Sequence, residues 1–268
     1  MTSNAPDTED MTDAPAGSPR IYTAALAIIG NEILSGRTQD ANLAHLAKTL
    51  NAWGVEMREA RVVPDIEAEI VAAVNAMRAR YDYVFTTGGI GPTHDDITAD
   101  SIAAAFGVPV VEHPDAIALL EAHYPPGGLT PARRRMARVP EGAGLIDNPI
   151  SKAPGFRIAN VFVLAGIPAV MRAQLEGARA FISGGRSVIS ATVSVLVGES
   201  RIAELLSATQ DRFPDVDMGS YPFFRRAGLG TALVLRAREA DRLEIAMAAL
   251  TDALVAAGVE VHPGEIPD

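Results

Sequence analysis

Short apolar runs alternate with longer amphipathic stretches through residues 21–181. The continuous run Ile21–Ile29 is typical of a strand that is covered on both faces. The stretch Asn42–Trp53 repeats leucine or alanine every three or four positions, which is typical of a helix with one buried face. The same reasoning predicts strands at 21–29, 55–63, 83–85, 108–111 and 161–164, and helices at 42–53, 66–77, 98–106, 115–123, 131–139 and 168–181. Strands separated by helices predict a three-layer α/β fold with a doubly wound, mainly parallel sheet.

A different order of elements begins after the glycine pair at 184–185. The pattern predicts strands at 187–197, 217–224, 230–236 and 259–262, and helices at 200–213 and 243–257. This β-α-β-β-α-β order is the ferredoxin-like arrangement. The predicted domains are a disordered tail at 1–20, a larger α/β domain at 21–185 and a small α+β domain at 187–268.

The most informative segment lies between residues 83 and 100, where a buried strand enters a glycine loop and then a helix. The loop spans Gly88–Gly91, the adjacent acids Asp95 and Asp96 follow, and Thr98 is the predicted cap of the helix. A strand, a glycine turn and a helix start form a geometry in which backbone N–H groups bind an anion. Carboxylates beside an anion site need a cation, so the segment predicts a phosphorylated ligand with a divalent metal.

The acids in this region each have a functional and a plainer interpretation. Asp96 is the predicted metal ligand and Asp95 a supporting or substrate-contacting acid, whereas the alternative for the pair is ordinary helix capping. Asp65 follows Pro64 at a predicted helix start, so it is a site candidate or a simple cap. His94 is either a general acid–base group or an exposed loop histidine.

Ligands in open α/β sheets bind beyond the carboxyl ends of the strands. Segments 30–40, 64–65, 88–98 and 166–171 all follow predicted strands, so we expect them to converge. The candidate ligand-binding residues are Gly30, Glu32, Gly36, Asn42, Thr87, Gly88, Gly89, Gly91, Thr93, Thr98, Lys152, Gly155, Gly166 and Pro168. Most of these residue types also occur in ordinary turns, so the hypothesis of a ligand site depends on the four segments lying close together in the fold.

The composition excludes several classes of protein. A net charge of −10 argues against a nucleic-acid-binding surface, and the arginines within 133–138 are either a solvated helix face or a phosphate contact. The chain has no cysteine, which excludes a disulfide framework and thiolate zinc sites. No apolar run approaches the ~20 residues that span a bilayer, and the N-terminus lacks the pattern of a signal peptide. We expect a cytoplasmic protein with neither nucleic-acid nor membrane partners.

Several ordered motifs together resemble a known family. The segments GNEILSGRTQDAN, VVPD, TTGGIGPTHDDIT, NPISKAPGF and VFVLAGIPAVM are similar to the MoaB/Mog molybdopterin-binding fold. The chain resembles in particular the N-terminal domain of CinA proteins and the molybdopterin-binding-like domain of eukaryotic FAD synthases. The resemblance implies chemical roles for Asp65 and Asp96 and a ligand cradle at Gly88, Gly89 and Gly91.

The resemblance also implies an activity. We expect a metal-dependent nucleotide pyrophosphatase that cleaves the diphosphate of ADP-ribose, FAD or a related dinucleotide. Asp65 and Asp96 would bind a divalent ion (Mg, Co or Mn), possibly with a monovalent cation. The alternatives are a molybdopterin- or nucleotide-binding module without turnover, and a molybdopterin adenylyltransferase. The expected partners are a small nucleotide or pterin ligand and further copies of the chain in a homo-oligomer.

Overall fold

The computed structural model describes residues 20–225 and 228–266. The predicted disordered tail lies outside these residues, apart from Arg20. The strands are β1 (Tyr22–Ile29), β2 (Val55–Val63), β3 (Tyr83–Thr87), β4 (Val110–Glu112), β5 (Arg138–Pro140), β6 (Gly144–Ile146), β7 (Gly155–Ile158), β8 (Val161–Leu164), β9 (Ile189–Val195), β10 (Asp217–Arg225), β11 (Gly228–Ala237) and β12 (Val261–Pro263).

The helices occupy the segments between these strands. They are α1 (Asn31–Leu34), α2 (Asn42–Ala52), α3 (Glu67–Arg78), α4 (Thr98–Phe106), α5 (Pro114–His123), α6 (Pro131–Arg134), α7 (Pro168–Ala178), α8 (Glu199–Arg212) and α9 (Ala240–Ala256), with 3₁₀ turns at Arg135–Ala137 and Arg179–Phe181. No helix in the described part of the chain is long and apolar enough to cross a membrane.

The first sheet has the strand order β2-β1-β3-β8-β7-β6. Its first four strands are parallel, and β7 runs antiparallel to both of its neighbours. Successive residues of β1 face opposite layers: Ala25 packs into a core with α3 and α4, and Leu26 into a core with α2 and α7. This alternation confirms the predicted three-layer, mainly parallel architecture. We call residues 21–182, which hold this sheet, the N-terminal unit.

The second sheet has the order β10-β11-β9-β12, and every pairing is antiparallel. Helices α8 and α9 share one apolar core with this sheet, which includes Ile202, Leu233 and Leu250. The chain order and strand order together confirm the ferredoxin-like arrangement. We call residues 189–263 the C-terminal unit.

Two outward positions of the outer strand β10 offer no free donor on its open side. The Met218 N–H donates to Gln210 Oε1 over 3.0 Å, so it faces away from the paired strand β11. Because strand residues alternate in direction, Pro222 belongs to the same outward set as Met218. Proline has no N–H, so its position removes a donor from the edge without breaking the inner ladder.

Hydrogen bonds join the N-terminal unit to the C-terminal unit and to Val188 in the segment that connects them. The Asn51 side chain donates to Val188 O over 2.9 Å and accepts from Val188 N over 3.1 Å. The Arg238 guanidinium donates to Glu56 Oε2 over 2.6 Å, which adds an ion pair between the units.

One predicted helix is wrong at its C-terminal end. The helix predicted for residues 131–139 ends at Arg134, and residues 138–140 form β5, which pairs with β4. Pairing with a distant strand therefore overrides the local helical pattern. Strands β6 and β7 are not predicted from the sequence because such short segments depend on their neighbours for stability.

Candidate functional site

The carboxyl ends of β2, β1, β3 and β8 lie side by side in the first sheet. Two loop hydrogen bonds hold neighbouring strand ends together: Gly30 N donates to Val63 O over 3.2 Å, and Gly88 N donates to Leu164 O over 3.1 Å. The segments that follow these four strands therefore begin at one edge of the sheet, where open α/β folds bind ligands.

The glycine loop after β3 requires glycine at two consecutive positions. Gly88 has φ +105°, and a Cβ there would lie 2.2 Å from Ile29 O. Gly89 has φ +67°, and its Cβ would lie 2.2 Å from Thr98 Oγ1. Any side chain would be strained by the backbone angle and blocked by these atoms, so the loop packs closely onto β1 and α4.

The prediction that Thr98 caps α4 is wrong. Ile97 is the N-cap, and it makes no side-chain capping hydrogen bond. The Thr98 hydroxyl donates to Gly88 O over 2.9 Å, and the Thr98 side chain is fully buried. Thr98 therefore fixes the glycine loop to the helix, and its proton is already used within the protein.

The middle of the loop presents unpaired amide groups. The N–H groups of Gly89, Ile90 and Gly91 have no acceptor among the described residues. All three residues are partly exposed, so solvent or a ligand can reach this part of the loop. Consecutive free amides of this kind attract an anion.

The two adjacent acids differ in their surroundings. Asp96 Oδ2 accepts from the Thr93 amide over 2.8 Å and from the Thr93 hydroxyl over 2.6 Å. Asp95 is 65% exposed, and His94 beside it is 99% exposed. The pKa of Asp95 lies below its ordinary value, chiefly because of hydrogen bonding from the Thr93 hydroxyl.

Asp65 does not cap α3, in contrast to the simpler interpretation of its position. The N-cap of α3 is Ile66, which makes no side-chain capping bond. Asp65 Oδ2 instead accepts from Asn31 N over 2.9 Å, which ties the segment after β2 to the segment after β1. The Glu32 carboxylate folds back onto Gly30, where a Cβ would lie 2.4 Å from Glu32 Oε1.

Asn42 and Thr87 are buried polar residues with atoms that lack partners. Asn42 Nδ2 donates to Gly166 O over 2.8 Å, but Asn42 Oδ1 has no hydrogen-bond partner in the described structure. Thr87 is 1% exposed, and its Oγ1 has no partner there either. A buried polar atom without a partner costs about 1–3 kcal/mol, so both atoms mark a place where water or ligand atoms belong.

A narrow cavity of about 10 Å³ lies against the glycine loop. It has room for about one water-sized group. Its lining includes Gly89, Gly91, Asp96 and Arg135. Arg135 cannot be told from its neighbouring arginines in the sequence, because adjacent arginines carry no distinguishing signal there.

The remaining candidates are distributed around this edge and have simpler structural roles. Gly36 has φ +73° with open space around it, which is ordinary for a turn. Gly155 lies in β7, where a Cβ would be 2.6 Å from Val163 O. Lys152 is partly exposed and has φ +58°, and Pro168 is the first residue of α7. Their predicted ligand contacts stay predictions.

The donor set suits a cation that arrives with a phosphorylated ligand. Within residues 20–225 and 228–266, no group of three or more His, Cys, Asp or Glu side chains converges as a metal cluster. Asp65 and Asp96 each use one carboxylate oxygen for a loop amide, which leaves the other oxygen for a ligand. Mg²⁺ is commonly bound by one or two carboxylates together with substrate phosphates, so the free oxygen of Asp96 beside the glycine loop fits such an ion, and a shared role for Asp65 stays a prediction.

Comparison with known families assigns the fold. Residues 25–181 match the family described as "Probable molybdopterin binding domain". The chain belongs to this molybdopterin-binding-domain family. Residues 187–262 match a second family, described as "FAD synthase, middle domain".

Relatives of this molybdopterin-binding-domain protein include CinA-like proteins. A CinA-like protein of Desulfosudis oleivorans is 35% identical over 217 residues, which cover 78% of this chain and 49% of that protein. The chain thus spans about half the length of that relative. A protein of Aeropyrum pernix is 34% identical over 90% of this chain and 94% of its own length. The solved CinA structure from Thermoplasma acidophilum is 35% identical, covers 60% of this chain and 99% of its own, and has a TM-score of 0.56.

Proposed function

We propose that the protein binds a dinucleotide through its diphosphate and hydrolyses the phosphoanhydride bond. The observation that carries this proposal is the set of unpaired amides at Gly89, Ile90 and Gly91 beside the Asp96 carboxylate. Amide donors without acceptors favour an anion, whereas a carboxylate beside them favours a cation. A diphosphate with its metal ion satisfies both preferences.

Each group of the site has a part in this proposal. The loop amides take charge that develops on the phosphate oxygens during the reaction. The buried atoms Asn42 Oδ1 and Thr87 Oγ1 orient polar groups of the ligand. Water forms a bond to one phosphorus, the bridging P–O bond breaks, and the second phosphate leaves with the electron pair. The proton of the attacking water is released to solvent.

A divalent cation fits beside these groups. Asp96 and Asp65 would hold it together with oxygens of the ligand, and Mg, Co and Mn are the candidate ions. It would supply neutralisation of the diphosphate charge and polarisation at phosphorus.

The proposed substrate class is a dinucleotide such as FAD or ADP-ribose. Support for FAD comes from the match of residues 187–262 to the middle domain of FAD synthase. ADP-ribose is the substrate that the sequence resemblance to CinA N-terminal domains implies, and the chain is similar to CinA-like proteins. A cytoplasmic location and a homo-oligomeric state stay predictions from the sequence.

Incubation of the purified chain with FAD or ADP-ribose and each metal tests the activity. We expect AMP with FMN from FAD, and AMP with ribose 5-phosphate from ADP-ribose. Asp96→Asn should lower the rate at least about 100-fold, because the carboxylate charge that attracts the cation is lost. Asp211→Asn, at an exposed position of α8, is the matched control and should retain the wild-type rate. Absence of turnover with every metal would reject the enzyme hypothesis.

A binding module without turnover is the second candidate. It is favoured by one observation: Asp65 and Asp96 both already accept hydrogen bonds from loop amides, so each has a structural function. This hypothesis predicts that FAD raises the melting temperature of Asp96→Asn as much as that of the wild type. A molybdopterin adenylyltransferase would instead show ATP-dependent modification of the pterin.

A further inference from the structure

Arg135 is placed against the glycine loop by the 3₁₀ turn that follows α6. Its Nη2 donates to Asp96 O over 3.2 Å, which links the turn to the end of the loop. Arg135 also lines the narrow cavity that Gly89, Gly91 and Asp96 share. The guanidinium is therefore next to the backbone that would receive an anion.

The Arg135 Nε–H is buried and has no acceptor in the described part of the chain. A charged group with an unpaired buried donor is costly, because the donor has lost water without gaining a partner. An acceptor at this nitrogen would remove that cost. The cavity has room for about one water-sized group, so an acceptor the size of a single oxygen atom fits.

The neighbouring arginines are already engaged. Arg133 donates to Gly128 O over 2.6 Å, Arg134 pairs with Glu112, and Arg138 donates to Asp100 Oδ1 over 2.6 Å. Arg135 has no carboxylate within ion-pair distance among the described residues. Among the described residues, Arg133 and Arg135 both lack a carboxylate partner, and of these two Arg135 lines the cavity at the glycine loop.

We propose that Arg135 is an anion-contacting and positioning residue of the glycine-loop site. One guanidinium nitrogen holds the loop through Asp96 O, and Nε–H donates to one phosphate oxygen of the ligand. A planar guanidinium with several fixed donors suits such a double function. The inference rests on the proposed function, because it requires that a phosphorylated ligand enters this site.

Calorimetric binding of inorganic pyrophosphate, ADP and adenosine tests the inference. We expect Arg135→Gln to weaken pyrophosphate and ADP binding at least about tenfold, because the charge-assisted bond is lost. Adenosine binding should change less than about twofold, because adenosine carries no phosphate. Arg135→Lys should recover part of the ADP affinity through its charge. Arg134→Gln is the matched control, and all of its affinities should equal those of the wild type.

The possible outcomes separate the inference from the proposed function. Pyrophosphate affinity of Arg135→Gln equal to that of the wild type rejects the anion contact. An equal loss for adenosine and ADP also rejects it, because Arg135 would then only hold the loop. Absence of pyrophosphate and ADP binding by the wild type rejects the nucleotide site itself. Thermal unfolding of each variant checks that the fold is intact, and Arg135→Lys replaces Arg135→Gln if the latter does not fold.

Discussion

The carboxyl edge of the first sheet and the cleft between the two units differ in how their polar groups are paired. At the edge, Asn42 Oδ1, Thr87 Oγ1 and Arg135 Nε are buried without partners in the described structure. The cleft has a volume of about 1020 Å³ and is lined by charged side chains. These side chains bind one another: Arg238 with Glu56, Arg242 with Asp215, and Arg236 with Asp217.

The difference indicates that unpaired buried groups, rather than the size of a concavity, mark the candidate site in this protein. Unpaired buried groups cost free energy, so they persist where another molecule can satisfy them. Paired charges at the cleft satisfy one another, and the Arg238–Glu56 pair also joins the two units. The small cavity at the sheet edge is therefore the stronger candidate for a binding site than the large cleft.

The largest expected effect comes from Gly88→Ala at the sheet edge. The new Cβ would lie 2.2 Å from Ile29 O, and the backbone has φ +105°. We expect a loss of roughly 2–4 kcal/mol in the free energy of unfolding, measured with urea, together with loss of pyrophosphate binding. Gly107→Ala is the control, because Gly107 has φ +67° but open space around its Cα. It should cost about 1 kcal/mol and retain binding. Equal costs for both variants would contradict the close packing of the loop.

Thr87 and Thr231 allow the most direct comparison between a buried hydroxyl without a hydrogen-bond partner and one with a partner. Thr231 is buried, and its hydroxyl donates to Val197 O over 2.9 Å, whereas the Thr87 hydroxyl has no partner. Thr231→Val should lower the free energy of unfolding by about 1–2 kcal/mol, because a hydrogen bond is lost. Thr87→Val should leave it unchanged or raise it slightly, while weakening pyrophosphate binding severalfold. Equal destabilisation by both variants would mean that Thr87 is satisfied in the free protein.

The ion pair between the units provides a smaller effect. Arg238 and Glu56 side chains are 24% and 28% exposed, and their atoms are 2.6 Å apart. A double-mutant cycle with Arg238→Gln and Glu56→Gln should give a coupling energy of about 1 kcal/mol. The coupling energy between Arg58 and Glu56, which are in contact within the same strand, should be smaller than that between Arg238 and Glu56. The reason is that Arg58 is more exposed than Arg238. A coupling energy of zero between Arg238 and Glu56 would mean that this ion pair does not stabilise the protein. The cleft would then no longer be an example of stabilising paired charges.

The smallest effect is a pH dependence at the mouth of the cleft. Hydrogen bonds from Arg242 lower the pKa of Asp215 from 3.8 to about 2. The pair therefore stabilises the fold fully above pH 4, and this contribution is lost as the pH falls towards 2. Because the Asp215 side chain is 48% exposed, solvent screening limits the contribution to less than about 1 kcal/mol. In Asp215→Asn, the urea concentration at the midpoint of unfolding should fall less between pH 4 and pH 2 than it does in the wild type. In Asp211→Asn, it should fall as much as in the wild type.

Segments with a clear helix or strand pattern were predictable from the sequence, and three short strands without such a pattern were not. Strands β2 and β8 have the predicted bounds, because each is a clear strand pattern limited by glycine, asparagine or proline. Strands β5, β6 and β7 have three or four residues, and their conformation depends on partners distant in the sequence. No local pattern encodes such pairing.

The same distinction holds for the site. The convergence of four segments at one sheet edge follows from parallel strand order, which the sequence pattern indicates. The hydrogen bonds of Thr98 and Asp65 could not be predicted from the sequence, because their partners, Gly88 O and Asn31 N, are brought close only by the tertiary fold. Arg135 could not be distinguished from Arg133 or Arg134, since only the structure shows that the buried Nε of Arg135 has no acceptor among the described residues.

Pro222 in β10 has a consequence for contacts between chains. An exposed strand edge ordinarily invites a second molecule to extend the sheet, which can lead to uncontrolled assembly. Here one outward position has no N–H, and the outward N–H of Met218 is occupied by Gln210. Replacement of Pro222 by an ordinary residue would therefore add an outward N–H donor to this edge and make it a better template for a second chain.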